Sequence, residues 1–294
     1  MKALKSEKSY AKINLHLHIG GKREDGYHPL SSIFHLIELH DVIKVELTEQ
    51  QQTHIEIIGM DGVPLTQNIM YKAASLFLTT INAHAKVLIH IDKNIPMQGG
   101  LGGGSSNAAT VLLILQQIYH YPIESSQLYS LGLMLGSDVP FFLHQECVAY
   151  VEGRGEVITP MKARDDLAVV LTFPINFGVS TKQAFHDLDT SRGAHWKEPL
   201  IISSSKLCHM YSIPVKEWRF YNDFKNIIIK YNNLNDILST SEIKGSNWYS
   251  SISGSGSTIF TVTDSGDEYM IYRLFEEKYR TQVTNTLTKC MYLL

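Results

Sequence analysis

The sequence predicts an α+β fold with two lobes: an N-terminal lobe built on a mixed or antiparallel sheet with helices, and a smaller C-terminal α/β lobe. Two observations support this class. Segments that alternate apolar and polar residues, as strands do, open the chain, and helical segments then separate further strands. A second series of strands and helices follows Pro160, so we divide the chain into lobes of residues 1–160 and 161–294.

Four segments of the first lobe have the pattern of strands. Residues 11–20, AKINLHLHIG, alternate isoleucine and leucine with asparagine and histidine, which is the period of a half-buried strand. Residues 41–49 and 53–59 repeat this alternation, and residues 86–91 form a short apolar run. Such alternation favours an antiparallel sheet with one buried face.

Three segments of the first lobe have helical periodicity, at residues 68–81, 105–119 and 125–135. The second of them is apolar almost all round, which is typical of a buried helix. We therefore expect the helix at 105–119 to form the core of the first lobe.

The second lobe repeats the alternation of strands and helices. Residues 168–174 and 257–263 are strand-like, whereas residues 219–232 and 267–280 have the pattern of helices. Between about 187 and 215 the pattern loosens around glycine, proline and serine, which indicates an irregular but ordered connection.

Composition excludes several classes of protein. The 294 residues carry a formal charge of −3 and have a pI near 6.5, so no global charge attracts nucleic acid or an anionic membrane. The chain start has no extended apolar signal core, and no apolar run approaches a membrane span. Cys147, Cys208 and Cys290 lie far apart, which suggests neither a zinc site nor a disulfide framework. We expect a soluble cytoplasmic protein.

A glycine-rich loop is the strongest functional signal. Residues 99–104 hold five glycines and lead directly into the apolar helix. Glycines this dense allow positive φ and close backbone approach, and a helix start adds free N–H groups, so the loop is suited to phosphate. Ser105 and Ser106 lie where a capping hydroxyl is expected. The loop lacks the Walker lysine, and Asn107 replaces the third glycine of a dinucleotide fingerprint counted from Gly102.

Three other stretches carry candidate chemistry. Asp138, in GSDVPFFL, stands between a glycine turn and an apolar run, which indicates either a half-buried reactive carboxylate or a turn cap. A second glycine-serine turn, residues 252–260, is as typical of a tight hairpin as of a ligand loop. Lys12 shares a predicted strand face with Asn14. His16 and His18 lie nearby, but no acid or cysteine stands at metal-ligand spacing from them.

Five motifs in this order and at these separations resemble the GHMP kinase superfamily. They are AKINL, GYH, PMQGGLGGGSSNAA, GSDVPFFL and SGSGSTIF. AKINL together with DGYH narrows the resemblance to members that act in the non-mevalonate route to isoprenoid precursors. The resemblance implies a two-lobe fold with the active site in the cleft, and ATP-dependent phosphorylation of an alcohol on a cytidine-diphosphate-linked tetritol.

The resemblance also implies roles for individual residues. Asp138 would be the catalytic acid-base residue and Lys12 its charged neighbour. Stacking of Tyr27 and Phe185 on cytosine would suit its flat face. The residues implied on the ATP side are Lys93, Asn68, Pro96, Met97, Gln98, Gly99, Gly100, Leu101, Gly102, Gly103, Gly104, Ser105 and Ser106, and those on the substrate side are Asn14, Tyr27, His28, Thr181 and Phe185.

Other expectations concern the metal, the partners and the alternatives. Mg²⁺ is expected as the cofactor that accompanies ATP, but no acidic cluster identifies a protein ligand for it. We expect no nucleic-acid or membrane partner, and a monomer or weak homodimer. Gln98 stands where relatives have glycine or alanine, and its Cβ narrows the allowed φ. The alternatives are another alcohol kinase of homoserine or mevalonate type, or a non-catalytic nucleotide-binding module.

Overall fold

The computed structural model describes residues 2–174, 178, 180–193, 196, 199, 201–228, 232–241 and 247–289. Its first sheet comprises β1 (Lys2–Ile19), β2 (Leu30–Glu49), β3 (His54–Ile58), β4 (Ala85–Asp92), β5 (Val148–Gly153) and β6 (Val157–Pro160). The strand order is β3-β4-β2-β5-β6, and β1 also pairs with β2. Strands β3 and β4 are parallel and the other pairs are antiparallel, so the sheet is mixed, as predicted.

Helices pack on this sheet and fill its core. They are α1 (Ile69–Thr80), α2 (Gly103–Ile118), α3 (Ser125–Leu135) and α4 (Val139–His144). Helix α2 is buried along most of its length and shares one apolar cluster with β2, β4 and α1. The prediction of a buried central helix is confirmed, because a helix apolar all round has no face suited to water.

The second sheet comprises β7 (Ala168–Phe173), β8 (Trp248–Ile252), β9 (Ile259–Thr263) and β10 (Arg280–Asn285), in the order β10-β7-β9-β8. All three strand pairs are antiparallel. The helices of this half are α5 (Thr181–Arg192), α6 (Ser204–Ser212), α7 (Lys225–Ile228), α8 (Asn232–Ser241) and α9 (Glu268–Phe275). The stretch predicted to be irregular between 187 and 215 thus contains the end of α5 and all of α6.

The helix predicted at residues 219–232 is wrong for residues 219–224 and confirmed for residues 225–228 and for Asn232, where α8 begins. The structure has an irregular segment up to Phe224, then α7, while residues 229–231 lie outside the described part. Asn222 explains the break: its Oδ1 accepts a hydrogen bond from the Phe224 N–H at 2.9 Å, and its Nδ2 donates to the carbonyls of Ile252 and Gly254. An asparagine side chain that bonds nearby backbone competes with the helix.

Strand β1 is buried on both faces near its C-terminal end, which corrects the half-buried prediction. Every residue from Ser9 to Gly20 is buried. The segment around Asn222 lies beside the strand, where the Leu17 N–H donates to the Tyr221 carbonyl at 2.8 Å and the Asp223 N–H donates to the Leu17 carbonyl. Chain from the second half therefore covers residues that the alternation pattern would leave in water.

The apolar core continues from one sheet to the other. Ile13 and Leu15 of β1 belong to the same buried cluster as Leu171 of β7 and Phe260 of β9. The last strand of the first sheet ends at Pro160, but the shared core gives no break in packing there, and the boundary near that residue stays a prediction.

The described residues include no helix long and apolar enough to cross a membrane. They also contain no group of three or more histidine, cysteine or acidic side chains arranged to hold a metal ion. Cys208 is a free thiol, whereas Cys147 is disulfide-bonded. The spacing of the cysteines suggested no disulfide framework, and it did not indicate the bond at Cys147, because distance along the chain does not set distance in the fold.

Candidate active site

A cavity of about 500 Å³ lies between the glycine-rich loop, strand β1 and the start of helix α5. Its volume is in the range of sites that enclose a small molecule. Most of the residues implied by the resemblance line it: Lys12, Asn14, His28, Asn68, Lys93, Pro96, Met97, Gln98, Gly99, Gly100, Leu101, Gly102, Gly103, Gly104, Ser105, Asp138, Thr181 and Phe185. Tyr27 and Ser106 do not belong to this lining.

The glycine-rich loop has the backbone that its composition predicts. Gly100 and Gly102 have φ of 75° and 69°, and Gln98 reaches 57° in spite of its Cβ. Gly102 is the N-cap of α2 and no side chain caps the helix, so the capping role expected for Ser105 and Ser106 is wrong. The uncapped first-turn N–H groups and the positive end of the helix dipole therefore face the loop and its cavity, an arrangement that binds anions.

The second glycine-serine turn, residues 252–260, packs against this loop and forms hydrogen bonds with its backbone. The Ser253 hydroxyl donates to the Gly100 carbonyl at 2.8 Å, and the Thr258 N–H donates to the Gly99 carbonyl at 3.2 Å. A Cβ at Gly100 would lie only 1.9 Å from the Ser253 carbonyl oxygen. The two turns are thus in backbone contact, which explains why the loop needs glycine there.

Residues 252–260 form a hairpin, because Ile252 of β8 pairs with Ile259 of β9 and the Ser253 N–H donates to the Thr258 carbonyl at 2.9 Å. Gly254 and Ser255 of the same turn also line the cavity, where a ligand could contact them.

Lys12 and Asp138 form the charged centre of the cavity. The Lys12 Nζ lies 3.4 Å from the Asp138 Oδ2, and it donates to the Asn14 Oδ1 at 2.5 Å. It also lies 4.5 Å from the centre of the Phe34 ring, a distance at which a cation is attracted to an aromatic face. The Lys12 side chain is 4% exposed, whereas that of Asp138 is 29% exposed. The Lys12 ammonium is therefore buried, whereas the Asp138 carboxylate that it pairs with is accessible to solvent and to a ligand.

Local structure fixes both partners of this ion pair. The Lys12 N–H donates to the Leu101 carbonyl at 3.0 Å, which ties β1 to the glycine-rich loop. Asp138 precedes α4, where a side-chain cap is expected, but its carboxylate makes no capping hydrogen bond. Of the two interpretations left open for Asp138, the turn cap is therefore excluded. Its carboxylate remains available for chemistry.

On the other side of the loop, an ion pair anchors Lys93. Its Nζ donates to the Asp41 Oδ2 at 2.7 Å and to the Ile95 carbonyl at 2.6 Å. The Asp41 side chain is fully buried and also accepts from the N–H groups of Asn94 and Ile95. Asp41 was missed by the sequence analysis, although an acid in the apolar run HDVIKVEL could have indicated it.

Asn68 also lines the cavity. Its Oδ1 caps α1 by accepting from the Met70 N–H at 2.9 Å, and its side chain is almost fully buried. Met60, Val63 and Gln67 line the cavity beside it. None of these three was predicted, because nothing in their local pattern distinguishes them from ordinary surface residues.

A group of aromatic rings forms another part of the cavity lining. The His28 ring stacks on Phe185 with centroids 5.1 Å apart, and Phe185 meets Phe224 edge to face at 5.0 Å. The Thr181 hydroxyl lies 3.2 Å from the Ser255 hydroxyl. Tyr27 stands apart from this group, because the residue is 47% exposed and its ring centre lies 3.5 Å from the Arg154 guanidinium.

A bulge in β1 decides which of its side chains reach the cavity. The register with β2 shifts between Asn14 and His16, so Leu17 and Ile19 line the cavity after the shift. His16 instead packs edge to face against Tyr221, with centroids 4.4 Å apart. Burial lowers the pKa of His16 to about 4, which keeps its imidazole neutral.

Among the described residues, the cavity lining holds a single carboxylate, that of Asp138, with hydroxyl oxygens from Ser105, Thr181 and Ser255. Mg²⁺ needs few protein ligands when phosphate oxygens and water complete its shell. These oxygens therefore fit a metal ion that arrives with a nucleotide, and they do not fit a metal cage made by the protein alone.

The cavity, its uncapped helix and the two-sheet fold define a class of enzyme. A family model described as the N-terminal domain of GHMP kinases matches residues 68–146, which include the glycine-rich loop and Asp138. The chain is a GHMP-type kinase.

Named homologues identify the family within this class of kinases. The chain is 35% identical to 4-diphosphocytidyl-2-C-methyl-D-erythritol kinase of Clostridium novyi over 95% of its own length and 99% of the relative's. It is 37% identical to the enzyme of the same name from Clostridium botulinum, over 93% and 96%. A crystal structure of 4-(cytidine 5'-diphospho)-2C-methyl-D-erythritol kinase superimposes with a TM-score of 0.76 at 26% identity, covering 96% of this chain and 99% of that one. The chain belongs to the 4-diphosphocytidyl-2-C-methyl-D-erythritol kinase family.

Proposed function

We propose that the chain transfers the γ-phosphoryl group of ATP to the 2-hydroxyl of 4-diphosphocytidyl-2-C-methyl-D-erythritol. The substrate is the one that the names of its relatives give. One observation carries the proposal: the ion pair of Lys12 and Asp138 lies in the same cavity as the uncapped N-terminus of α2. An anion site and an acceptor-activating carboxylate are the two parts that phosphoryl transfer needs.

Asp138 orients the acceptor and takes its proton. Its carboxylate accepts a hydrogen bond from the attacking hydroxyl, the oxygen bonds to the γ-phosphorus, and the bond from phosphorus to the leaving ADP oxygen breaks. Because the transition state is loose, the proton reaches Asp138 late, after most of the transfer. Positioning of the attacking hydroxyl by Asp138 therefore contributes more to the rate than the basicity of its carboxylate.

Lys12 and the glycine-rich loop stabilise negative charge during the transfer. The Lys12 ammonium, held by Asn14 at 2.5 Å, faces the place where acceptor and phosphate meet. The N–H groups of the loop and of the first turn of α2 bind the phosphate oxygens. A divalent cation bound with ATP would neutralise further phosphate charge beside Asp138 and Ser105.

The remaining lining residues are assigned to the two substrates. Asn68, Lys93, His28, Thr181 and Phe185 all line the cavity; we assign the first two to ATP and the other three to the cytidine diphosphate. Since Tyr27 lies beneath Arg154 outside the cavity lining, we propose Phe185 and His28 as the base-contacting side chains.

The test is ADP release from the purified protein with Mg-ATP and 4-diphosphocytidyl-2-C-methyl-D-erythritol. Asp138→Asn should lower kcat by about 10²- to 10⁴-fold and leave ATP affinity in calorimetry unchanged, because general-base catalysis contributes a factor of that size. The control is Asp236→Asn, an exposed carboxylate in α8 outside the cavity. Turnover of homoserine, mevalonate or galactose in place of the cytidyl substrate would refute the proposed acceptor, and full activity of Asp138→Asn would refute the role of Asp138.

A further inference from the structure

The imidazole of His28 is held from two sides by one turn of helix α5. Its Nε2 lies 2.8 Å from the Asp189 Oδ1, and its face stacks on Phe185. Asp189 and Phe185 are four residues apart in the helix, so they share one face of it. The His28 side chain is 7% exposed, whereas that of Asp189 is 33% exposed. The proposed reaction gives Asp189 no role.

The carboxylate determines which ring nitrogen of His28 carries the proton. An ionised carboxylate only accepts hydrogen bonds, so the nitrogen that faces it must be Nε2–H. In the neutral imidazole the other nitrogen, Nδ1, is then an acceptor. His28 lines the cavity, so its ring offers an acceptor to a ligand bound beside it.

We propose that Asp189 is a positioning residue that makes the site select cytosine over uracil by fixing the tautomer of His28. Cytosine carries an exocyclic amino group, which donates, where uracil carries a carbonyl, which accepts. An acceptor at Nδ1 can take a hydrogen bond from the amino group of cytosine. It faces an unpaired carbonyl in uracil, which lowers the affinity for uracil. The inference rests on the proposed function in so far as the acceptor substrate carries a cytidine diphosphate.

The fold keeps α5 in place without this contact. Arg192, at the end of the same helix, donates from Nη1 to the Gly20 carbonyl at 2.9 Å and also bonds the Ile19 carbonyl. Phe185 retains its edge-to-face contact with Phe224. Removal of the Asp189 carboxylate should therefore allow His28 to carry its proton on either ring nitrogen and leave the position of the helix unchanged.

The experiment compares Asp189→Ala with Asp187→Ala. Asp187 lies on the same helix, and its carboxylate accepts from Gln183 Nε2 at 2.7 Å, on a different face from Asp189. The probes are CDP and UDP, bound to the purified full chain and measured by calorimetry. The wild type and Asp187→Ala should bind CDP more tightly than UDP, and Asp189→Ala should lower this preference by about 10-fold or more.

A second variant separates the tautomer from the fold. Asp189→Asn retains a side chain that can bond Nε2, but an amide donates as well as accepts, so it no longer dictates the tautomer. Its urea unfolding midpoint should equal that of the wild type while its preference for CDP falls. In turnover, both Asp189 variants should raise KM for the cytidyl substrate and leave kcat within about twofold, since Asp138 still contacts the reacting atoms.

Three results would overturn the inference: equal binding of CDP and UDP by the wild type, an unchanged preference in Asp189→Asn, or an equal loss of preference in Asp187→Ala. Failure of the proposed function gives a different pattern. In that case the wild type would prefer CDP, and lose the preference in Asp189→Ala, yet release no ADP with the cytidyl substrate.

Discussion

The contact between the two glycine turns gives the sharpest test of how the loop is built. In Gly100→Ala the new Cβ would lie 1.9 Å from the Ser253 carbonyl oxygen and 2.9 Å from that of Gly256. Both neighbours are backbone, so one turn must move. Gly100 also has φ of +75°, where alanine is strained by about 1–2 kcal/mol. Adding a methyl group to a packed contact costs about 1–3 kcal/mol more, so the total is about 2–5 kcal/mol.

Gly266→Ala is the matched control for this substitution. Gly266 has φ of +76°, and no heavy atom lies within 4 Å of its ideal Cβ. It therefore carries the same backbone strain without the clash, and should lose about 1–2 kcal/mol of the free energy of unfolding. The difference between the two variants measures the contact between the turns.

The assay is urea unfolding together with ATP binding by calorimetry. We expect Gly100→Ala to be less stable than Gly266→Ala by at least about 1 kcal/mol. It should also bind ATP more weakly, because the moved segment carries the phosphate-facing N–H groups, while Gly266→Ala keeps wild-type affinity. Equal stabilities, or wild-type ATP affinity in Gly100→Ala, would show that the second turn does not support the first.

Two further predictions concern buried ionisable groups. Asp41→Ala leaves Lys93 without its carboxylate partner and should lower the free energy of unfolding, measured in urea, by about 3–5 kcal/mol. Asp92→Asn, an exposed carboxylate at the end of β4, should change little, and a similar small loss for Asp41→Ala would contradict the anchoring role. His16 has its pKa lowered from 6.5 to about 4, and burial likewise lowers that of His35 to about 4. The unfolded chain therefore binds more protons, so stability is full above pH 6.5 and falls as the pH drops towards 4. Unfolding at pH 7 and pH 4.5 checks this, and His16→Gln should reduce the difference.

Local spacing predicted the parts of the site that depend on local geometry. Lys12 and Asn14 are two residues apart in a strand, so they share a face, and their side chains do meet at 2.5 Å. The glycine density of the loop likewise predicted its positive φ values. The boundaries of α2 were less predictable, since Gly102 with a left-handed backbone took the cap position in place of a serine.

Contacts between distant parts of the chain could not be predicted from the pattern. Asp189 meets His28 across 161 positions of sequence, and Lys93 meets Asp41 across 52. The sequence around Asp189 is that of an ordinary exposed helix, and the apolar run around Asp41 indicates burial but does not identify Lys93 as its partner. The break at Asn222 is of the same kind, because the carbonyls that its side chain bonds belong to Ile252 and Gly254.

The bulge in β1 allows one strand to supply both polar and apolar side chains to the cavity. Before it, the cavity receives Lys12 and Asn14, and after it the cavity receives Leu17 and Ile19. A regular strand of the same sequence would send His16 inward with the lysine and would bury the two apolar side chains elsewhere. The pocket wall can therefore change by substitution at Leu17 or Ile19 without disturbing the charged pair, and removal of the extra residue Leu15 would leave both apolar side chains on the cavity face, because a regular strand then has the same alternation.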